Sequence, residues 1–189
     1  MRLGYNTNGL AHHSLPAALR LLAGFGYESV AITVDHAALN PYQVDFARQL
    51  QETNELLQEL QLRSVIETGA RFLLDPRRKH EPTLVSAKTA GRPLRIEFLR
   101  YAVDIAAELG SDCVSLWSGA IRDHVDWDKG FSRLVEGLRL VVDYAERRDV
   151  TLGFEPEPGM LIDTMDRCQQ LIERIDSPKL KLTLDVGHL

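Results

Sequence analysis

The sequence predicts an α/β protein folded as a closed parallel (β/α)8 barrel, of which about six βα units are present in this chain. Three observations carry that expectation. Short apolar strands alternate strictly with amphipathic helices from one end to the other, which is the pattern of a parallel sheet flanked by its crossover helices. The strands are also asymmetric between their two faces. In 150–155 Leu152 and Phe154 share one face while Thr151, Gly153 and Glu155 share the other; in 179–185 Leu182 and Leu184 oppose Lys181, Thr183 and Asp185. An open sheet covered by helices on both faces reads as a near-continuous apolar run, so one apolar face and one small or polar face favours a barrel. Third, most strands finish on residues able to do chemistry, the arrangement expected at a barrel's carboxyl-end mouth.

In chain order, 2–8 is the first strand, and Ser14 with Pro16 opens a helix whose Leu15, Leu19, Leu22 and Ala23 recur at helical spacing before Gly24 and Gly26 close it. The GFGYES segment around those glycines follows a helix and precedes a strand, the reverse of a dinucleotide-binding turn, and is discarded. The second strand, 28–34, sets Val30, Ile32 and Val34 against Ala31, Thr33 and Asp35, and ends at Asp35 and His36. Asn40-Pro41 reads as an N-cap with proline at the first helical position, leading a helix to about Leu60. The third strand is 62–67. Residues 68–92 then lose periodicity, far beyond the roughly 2–6 residues usual in a βα loop, and loops of that length tend to be functional.

Pro93 starts a helix with Leu99, Ala102, Val103, Ala106 and Leu109 on one face, closed by Gly110; 112–117 is the fourth strand. Asp126 caps a helix with Phe131, Leu134, Val135, Leu138, Val142 and Ala145 along its stripe. After the fifth strand, 150–155, Asp163 caps a helix carrying Cys168, Leu171, Ile172 and Ile175, and 179–185 is the sixth strand. Residues 1–189 are expected to be one barrel domain, incomplete at its carboxyl end, because eight units need about 250 residues. Two open sheet edges should recruit a partner, a homo-oligomer being one such arrangement.

Composition narrows the function. With 189 residues, 44% hydrophobic and 26% charged, the chain has material for one substantial core. A net charge of -5 and pI near 5.7 offer no general attraction to phosphate backbones, so no nucleic acid partner is expected. Two isolated cysteines, Cys113 and Cys168, argue against a disulfide framework or zinc knuckle and fit a cytoplasmic location. No signal-peptide core or membrane-length apolar run is present, and no membrane partner is expected.

The strand ends gather Asn6, Asp35, His36, Glu67, Trp117, Glu155, Glu157, Asp185 and His188. Neighbouring parallel strands lie about 4.8 Å apart, so inward carboxylates at Glu155 and Asp185 can share a divalent ion, with His188 placed by the Asp185-Val186-Gly187 turn for the same ion or a substrate hydroxyl. Trp117, in phase with Cys113 and Ser115, would wall the mouth for a sugar or other small ligand. Glu67 and Glu157 are further substrate contacts; His36 shares the parity of the outward Val34 and is the weaker candidate. Arg71, Arg77, Arg78, Lys79 and His80 make the long loop basic, suited to a substrate phosphate or carboxylate. No nucleophile elbow, P-loop or HExxH motif is present.

The segments GFEPEPG and LTLDVGHL, at the ends of the fifth and sixth strands, resemble those of the xylose isomerase-like TIM barrel superfamily, the sugar phosphate isomerase/epimerase branch above all, and ETGARFLLDPRRKHEPTL is similar to the segment after strand three in some of its members. The resemblance runs from GYNTNG onward. It implies that Glu155 and Asp185 bind a divalent metal (Mn, Mg, Co or Zn), that His188 contacts substrate or a further metal, and that a histidine and a glutamate on strands seven and eight complete the shell. The expected activity is metal-dependent isomerisation or epimerisation of a small sugar or sugar phosphate through an enediolate, with Glu155 as ligand and acid/base. A lyase or dehydratase on a keto acid, an apurinic-site endonuclease and a non-catalytic ligand-binding barrel are the alternatives.

Overall fold

The computed structural model describes residues 2–188, the side chain of His188 excepted. Six strands, β1 (Gly4–Asn6), β2 (Ser29–Thr33), β3 (Arg63–Glu67), β4 (Val114–Leu116), β5 (Leu152–Phe154) and β6 (Leu180–Leu182), alternate with five helices, α1 (Leu15–Gly24), α2 (Phe46–Glu59), α3 (Gly91–Leu109), α4 (Trp127–Arg147) and α5 (Met165–Ile175). All pairings are parallel and the spatial order β1-β2-β3-β4-β5-β6 repeats the sequence order. A doubly wound open sheet reverses its order at a switch point; an unbroken progression is the order of a barrel wall.

The face asymmetry of the strands is borne out by burial. Val30, Ile32, Ile66, Val114, Leu116, Leu152 and Phe154, which alternate onto one face, are all sealed against the helices. They meet Leu19 and Leu22 of α1, Phe98, Leu99, Ala102 and Ala106 of α3, and Leu134, Leu138 and Val142 of α4 in one continuous core. Each such large side chain contributes roughly 1.5–3 kcal/mol by leaving water. The opposite face carries the half-exposed Ala31, Val65, Glu67, Cys113, Thr151, Glu155 and Thr183. It is also crowded: a Cβ at Gly153 would lie 2.3 Å from Thr183 Oγ1 and 3.6 Å from Cys113 Sγ, so glycine is what lets β4, β5 and β6 approach there. Beyond β6 no helix covers the sheet among the described residues, and Leu182 and Leu184 are 39% and 50% exposed.

Side-chain caps hold the starts of α4 and α5, with two departures from the sequence reading, while Ser14, Asp45 and Ala90 precede α1, α2 and α3 without a side-chain cap bond. Asp126 caps α4 as expected, its carboxylate accepting from Lys129 N at 2.8 Å, and Gly110 ends α3 in the left-handed conformation. Asn40, however, does not start α2. Its side chain accepts from Tyr42 N at 3.0 Å in a separate turn, and the helix begins at Phe46 after Asp45. At α5 the cap is Thr164 rather than Asp163, which instead pairs with Arg167 at 2.7 Å. Among the described residues no helix is long and apolar enough to cross a membrane, and both cysteines are free.

Candidate active site at the carboxyl ends of the strands

Glu155 follows β5 directly, and its N–H still donates to Leu116 O of β4 at 2.9 Å. Thr183 N donates to Phe154 O at 2.9 Å, carrying the β5–β6 pairing past its last ladder position. Glu155 and Thr183 therefore stand side by side on the inner face, with Asp185 two residues on. The Asp185 carboxylate accepts Gly187 N at 2.7 Å and so closes the short 3₁₀ turn Val186–His188. Both carboxylates are half-buried. The predicted role of His188 falls on a side chain outside the described residues. Glu157 lies in the loop after β5, where its backbone bonds Ile162 and Met160 fold the chain back on itself.

The middle strands supply Glu67 and Trp117. Glu67 ends β3 opposite Ser115. Burial raises its carboxyl pKa, and the Ser115 hydroxyl pulls in the other direction. Burial, reinforced by Glu67 and then Asp112, also pushes the Cys113 thiol up to about 11, which makes it a poor nucleophile at neutral pH. Trp117, just past β4, meets the His80 ring edge-on at 5.6 Å and the Arg95 guanidinium at 5.2 Å.

Arg95 is the residue that sequence reasoning missed. Only 3% exposed, it donates from Nε to Pro82 O, from Nη1 to Thr68 O and from Nη2 to His80 O, at 2.7, 2.8 and 2.7 Å. Burial lowers its pKa to about 10, still charged at neutral pH. The long loop is thereby tied down from beneath. It also packs into the exit of β4, where Gly119, at φ +85°, would place a Cβ 2.4 Å from that of Thr83.

Arg71 and His36 lie at the other side of the mouth. Arg71 Nε donates to Asp35 Oδ2 at 2.8 Å, and Asp35 Oδ1 accepts the His36 N–H at 2.8 Å. Together with Lys79, His13 and Asn8 they line a cavity of about 440 Å³ at the ends of β1 and β2. Its wall is braced by Thr33, whose hydroxyl donates to Asn6 Oδ1 at 2.8 Å and whose N–H donates to Thr7 Oγ1 at 3.0 Å. The structure thus sorts the sequence candidates into Glu155 and Asp185 on β5 and β6, Glu67 and Trp117 at the centre, and Arg71 and His36 around the cavity. Among the described residues no three His, Cys, Asp or Glu side chains converge as a metal site. Glu155 and Asp185 are hard oxygen donors at the ends of neighbouring strands.

A parallel βα wall with its polar side chains gathered at the carboxyl ends of the strands defines an α/β-barrel protein. The family model described as xylose isomerase-like TIM barrel matches residues 19–189, and the chain belongs to that family. It is 27% identical over 191 residues to the L-ribulose-5-phosphate 3-epimerase UlaE of Salmonella paratyphi B (strain ATCC BAA-1250 / SPB7), a match covering 96% of this chain and 64% of that protein. Among solved structures it is similar to a D-tagatose 3-epimerase-like protein, with a TM-score of 0.81, 21% identity and coverage of 100% and 66% of the two chains. It is likewise similar to the IOLI protein with a bound zinc atom, at a TM-score of 0.76, 17% identity and coverage of 100% and 64%. The chain spans about two thirds of the length of the curated relatives it matches.

Proposed function

We propose that the protein is a divalent-metal-dependent epimerase or isomerase of a small sugar or sugar phosphate. The observation that carries this reading is the placement of Glu155 and Asp185 at the ends of the adjacent strands β5 and β6; kinship with sugar epimerases supports the substrate class. Glu155 and Asp185 would hold the ion, one of Mn, Mg, Co or Zn, which when bound supplies polarisation of the substrate's carbonyl and adjacent hydroxyl. His188 orients a substrate oxygen.

Glu155 takes the proton from the carbon next to the carbonyl. The C–H electron pair becomes a C–C double bond and the carbonyl oxygen takes up the charge of an enediolate. Delivery of a proton to the opposite face of the same carbon by a second acid, the role the resemblance gives to the strand-eight glutamate, epimerises; return by Glu155 to the neighbouring carbon isomerises. Trp117, braced by His80 and Arg95, supplies an apolar wall that keeps water from the enediolate, and Glu67, raised by burial, is suited to hold a proton near substrate.

The test is solvent-deuterium incorporation at the carbon next to the carbonyl, with D-ribulose, D-fructose and their phosphates as substrates for the whole protein loaded with Mn. Glu155→Gln is expected to abolish incorporation, a loss of at least about a hundredfold for an acid/base group. Undiminished exchange in that variant removes Glu155 from the mechanism.

A further inference from the structure

We propose that the cavity at the ends of β1 and β2 seats the anionic end of the substrate, a phosphate ester, with Lys79 and Arg71 as the residues that select it. The inference deepens the sugar-epimerase reading and rests on it for the identity of the substrate; the binding itself is tested separately.

The lining carries two cations, Lys79 and Arg71, against one carboxylate, Asp35, in a chain whose net charge is -5. An acidic molecule repels a phosphate ester at long range, so capture requires a local positive wall. Lys79 and Arg71 supply it, with imidazoles at His13 and His36 and the amide of Asn8 beside them. Asp35 is the one carboxylate in that lining, and Arg71 Nε already engages it at 2.8 Å. The pairing fixes the guanidinium plane at the cavity wall. Lys79 enters no hydrogen bond or ion pair with the described residues. It is a compact charge of the kind that binds phosphate as a point cation.

Neither cation is carried by a slack loop. Arg71 and Lys79 lie between two points that Arg95 grips from below, Thr68 O and His80 O, and His80 Nδ1 lies 2.7 Å from Gly69 O, closing the base of the segment. A buried guanidinium with three backbone partners therefore sets where the two cations stand before any ligand arrives, which lowers the ordering cost of binding. The volume, about 440 Å³, lies within the range of small-molecule sites. The two strands concerned are remote in the sheet order from β5 and β6. That separation suits a substrate whose non-reacting end is held apart from its reacting carbons, so that binding energy there is available for positioning.

Calorimetric titration with D-ribulose 5-phosphate, D-ribulose and inorganic phosphate tests the assignment on the wild-type chain, Lys79→Met and Arg77→Met. Arg77 is a neighbouring loop cation that does not line this cavity and so controls for general charge. Wild type is expected to bind ribulose 5-phosphate at least tenfold more tightly than ribulose, with inorganic phosphate competing for the ester. Lys79→Met loses about tenfold for the ester and for inorganic phosphate, with ribulose unchanged, and Arg77→Met loses less than twofold. Equal binding of the two sugars, no binding of any probe, an unaffected Lys79→Met, or equal losses in the two variants overturns the inference. Deuterium exchange separates the two readings: phosphate selection without exchange sinks the epimerase and leaves this site standing, whereas exchange without phosphate selection does the reverse.

Discussion

Replacing Arg95 by Met keeps an unbranched stem of similar length in the core and removes the guanidinium. Three carbonyls, Thr68 O, His80 O and Pro82 O, then lose donors at 2.7–2.8 Å, and Trp117 and Phe98 lose a cation 5.2 and 5.4 Å from their ring centres. Bonds to a charged donor contribute roughly 1.5–3 kcal/mol each, so three amount to about 5–9 kcal/mol. Against this stands the cost of burying the charge, seen in a pKa brought down from 12.5 to about 10, which corresponds to roughly 3 kcal/mol and is recovered on substitution. A net loss of about 2–6 kcal/mol follows, or a fall in Tm of roughly 4–24 °C for a domain of this size. Thermal unfolding by circular dichroism measures it. Amide exchange across 68–90 should quicken more than exchange in α4, and in a Trp127→Phe background the Trp117 emission should shift to the red as its wall opens. Arg95→Lys keeps the charge but cannot span three carbonyls and should fall in between. A loss below about 1 kcal/mol with unchanged exchange in the loop would refute the claim that Arg95 holds it.

Two further outcomes follow from the inner face of the sheet. Gly153→Ala places a methyl 2.3 Å from Thr183 Oγ1 and is expected to cost roughly 1–3 kcal/mol in urea denaturation, most of it restored by adding Thr183→Ala, because the obstructing atom is a side chain and not backbone. Glu67 binds more protons folded than unfolded, since burial raises its folded pKa; its contribution to stability is therefore present at low pH and lost as pH rises through the folded pKa. Glu67→Gln should accordingly raise Tm relative to wild type at pH 7 and bring no gain below the ordinary carboxylate range, and a gain independent of pH would contradict the assigned cause.

The features that were legible in the sequence are those written in periodicity. Leu152 and Phe154 alternating against Gly153 and Glu155 declared which face meets helices, and their complete burial follows from that alternation. The expectation for Glu155 and Asp185 rests on the same logic: phase along a strand is local, and parallel pairing sets the ends of β5 and β6 side by side. Arg95 was not legible. It sits one turn before Leu99 on the buried side of α3, where a charged residue reads as a break in the stripe, and its partners are backbone carbonyls, which have no residue signature. The long loop was recognisable as aperiodic, but Leu84 and Val85 within it are 1% and 0% exposed, core residues that follow no repeat; Leu84 packs close to Gly137 of α4, where a Cβ would lie 3.0 Å from its Cδ2. Asn40-Pro41 misled because an Asx turn and a helix N-cap use the same side-chain acceptor; which one forms depends on whether the next turn continues, and here it resumes only at Phe46.

The strand order also arranges the chemistry under the proposed function. From β1 to β6 the mouth passes from cations at Arg71 and Lys79, through the aromatic Trp117 and the protonation-prone Glu67, to carboxylates at Glu155 and Asp185. Opposite charges on neighbouring strands would pair and neutralise one another. With β3 and β4 between them, Arg71 and Lys79 stand apart from Glu155 and Asp185. Arg95 is held by three carbonyls and faces two aromatic rings, and the charge of Glu81 offsets part of the burial that lowers its pKa. A substrate with a phosphate at one end and a carbonyl at the other matches that gradient in one orientation only. Under the proposed function, the polarity of the mouth, and not the shape of any single pocket, would set which end of the sugar reaches Glu155.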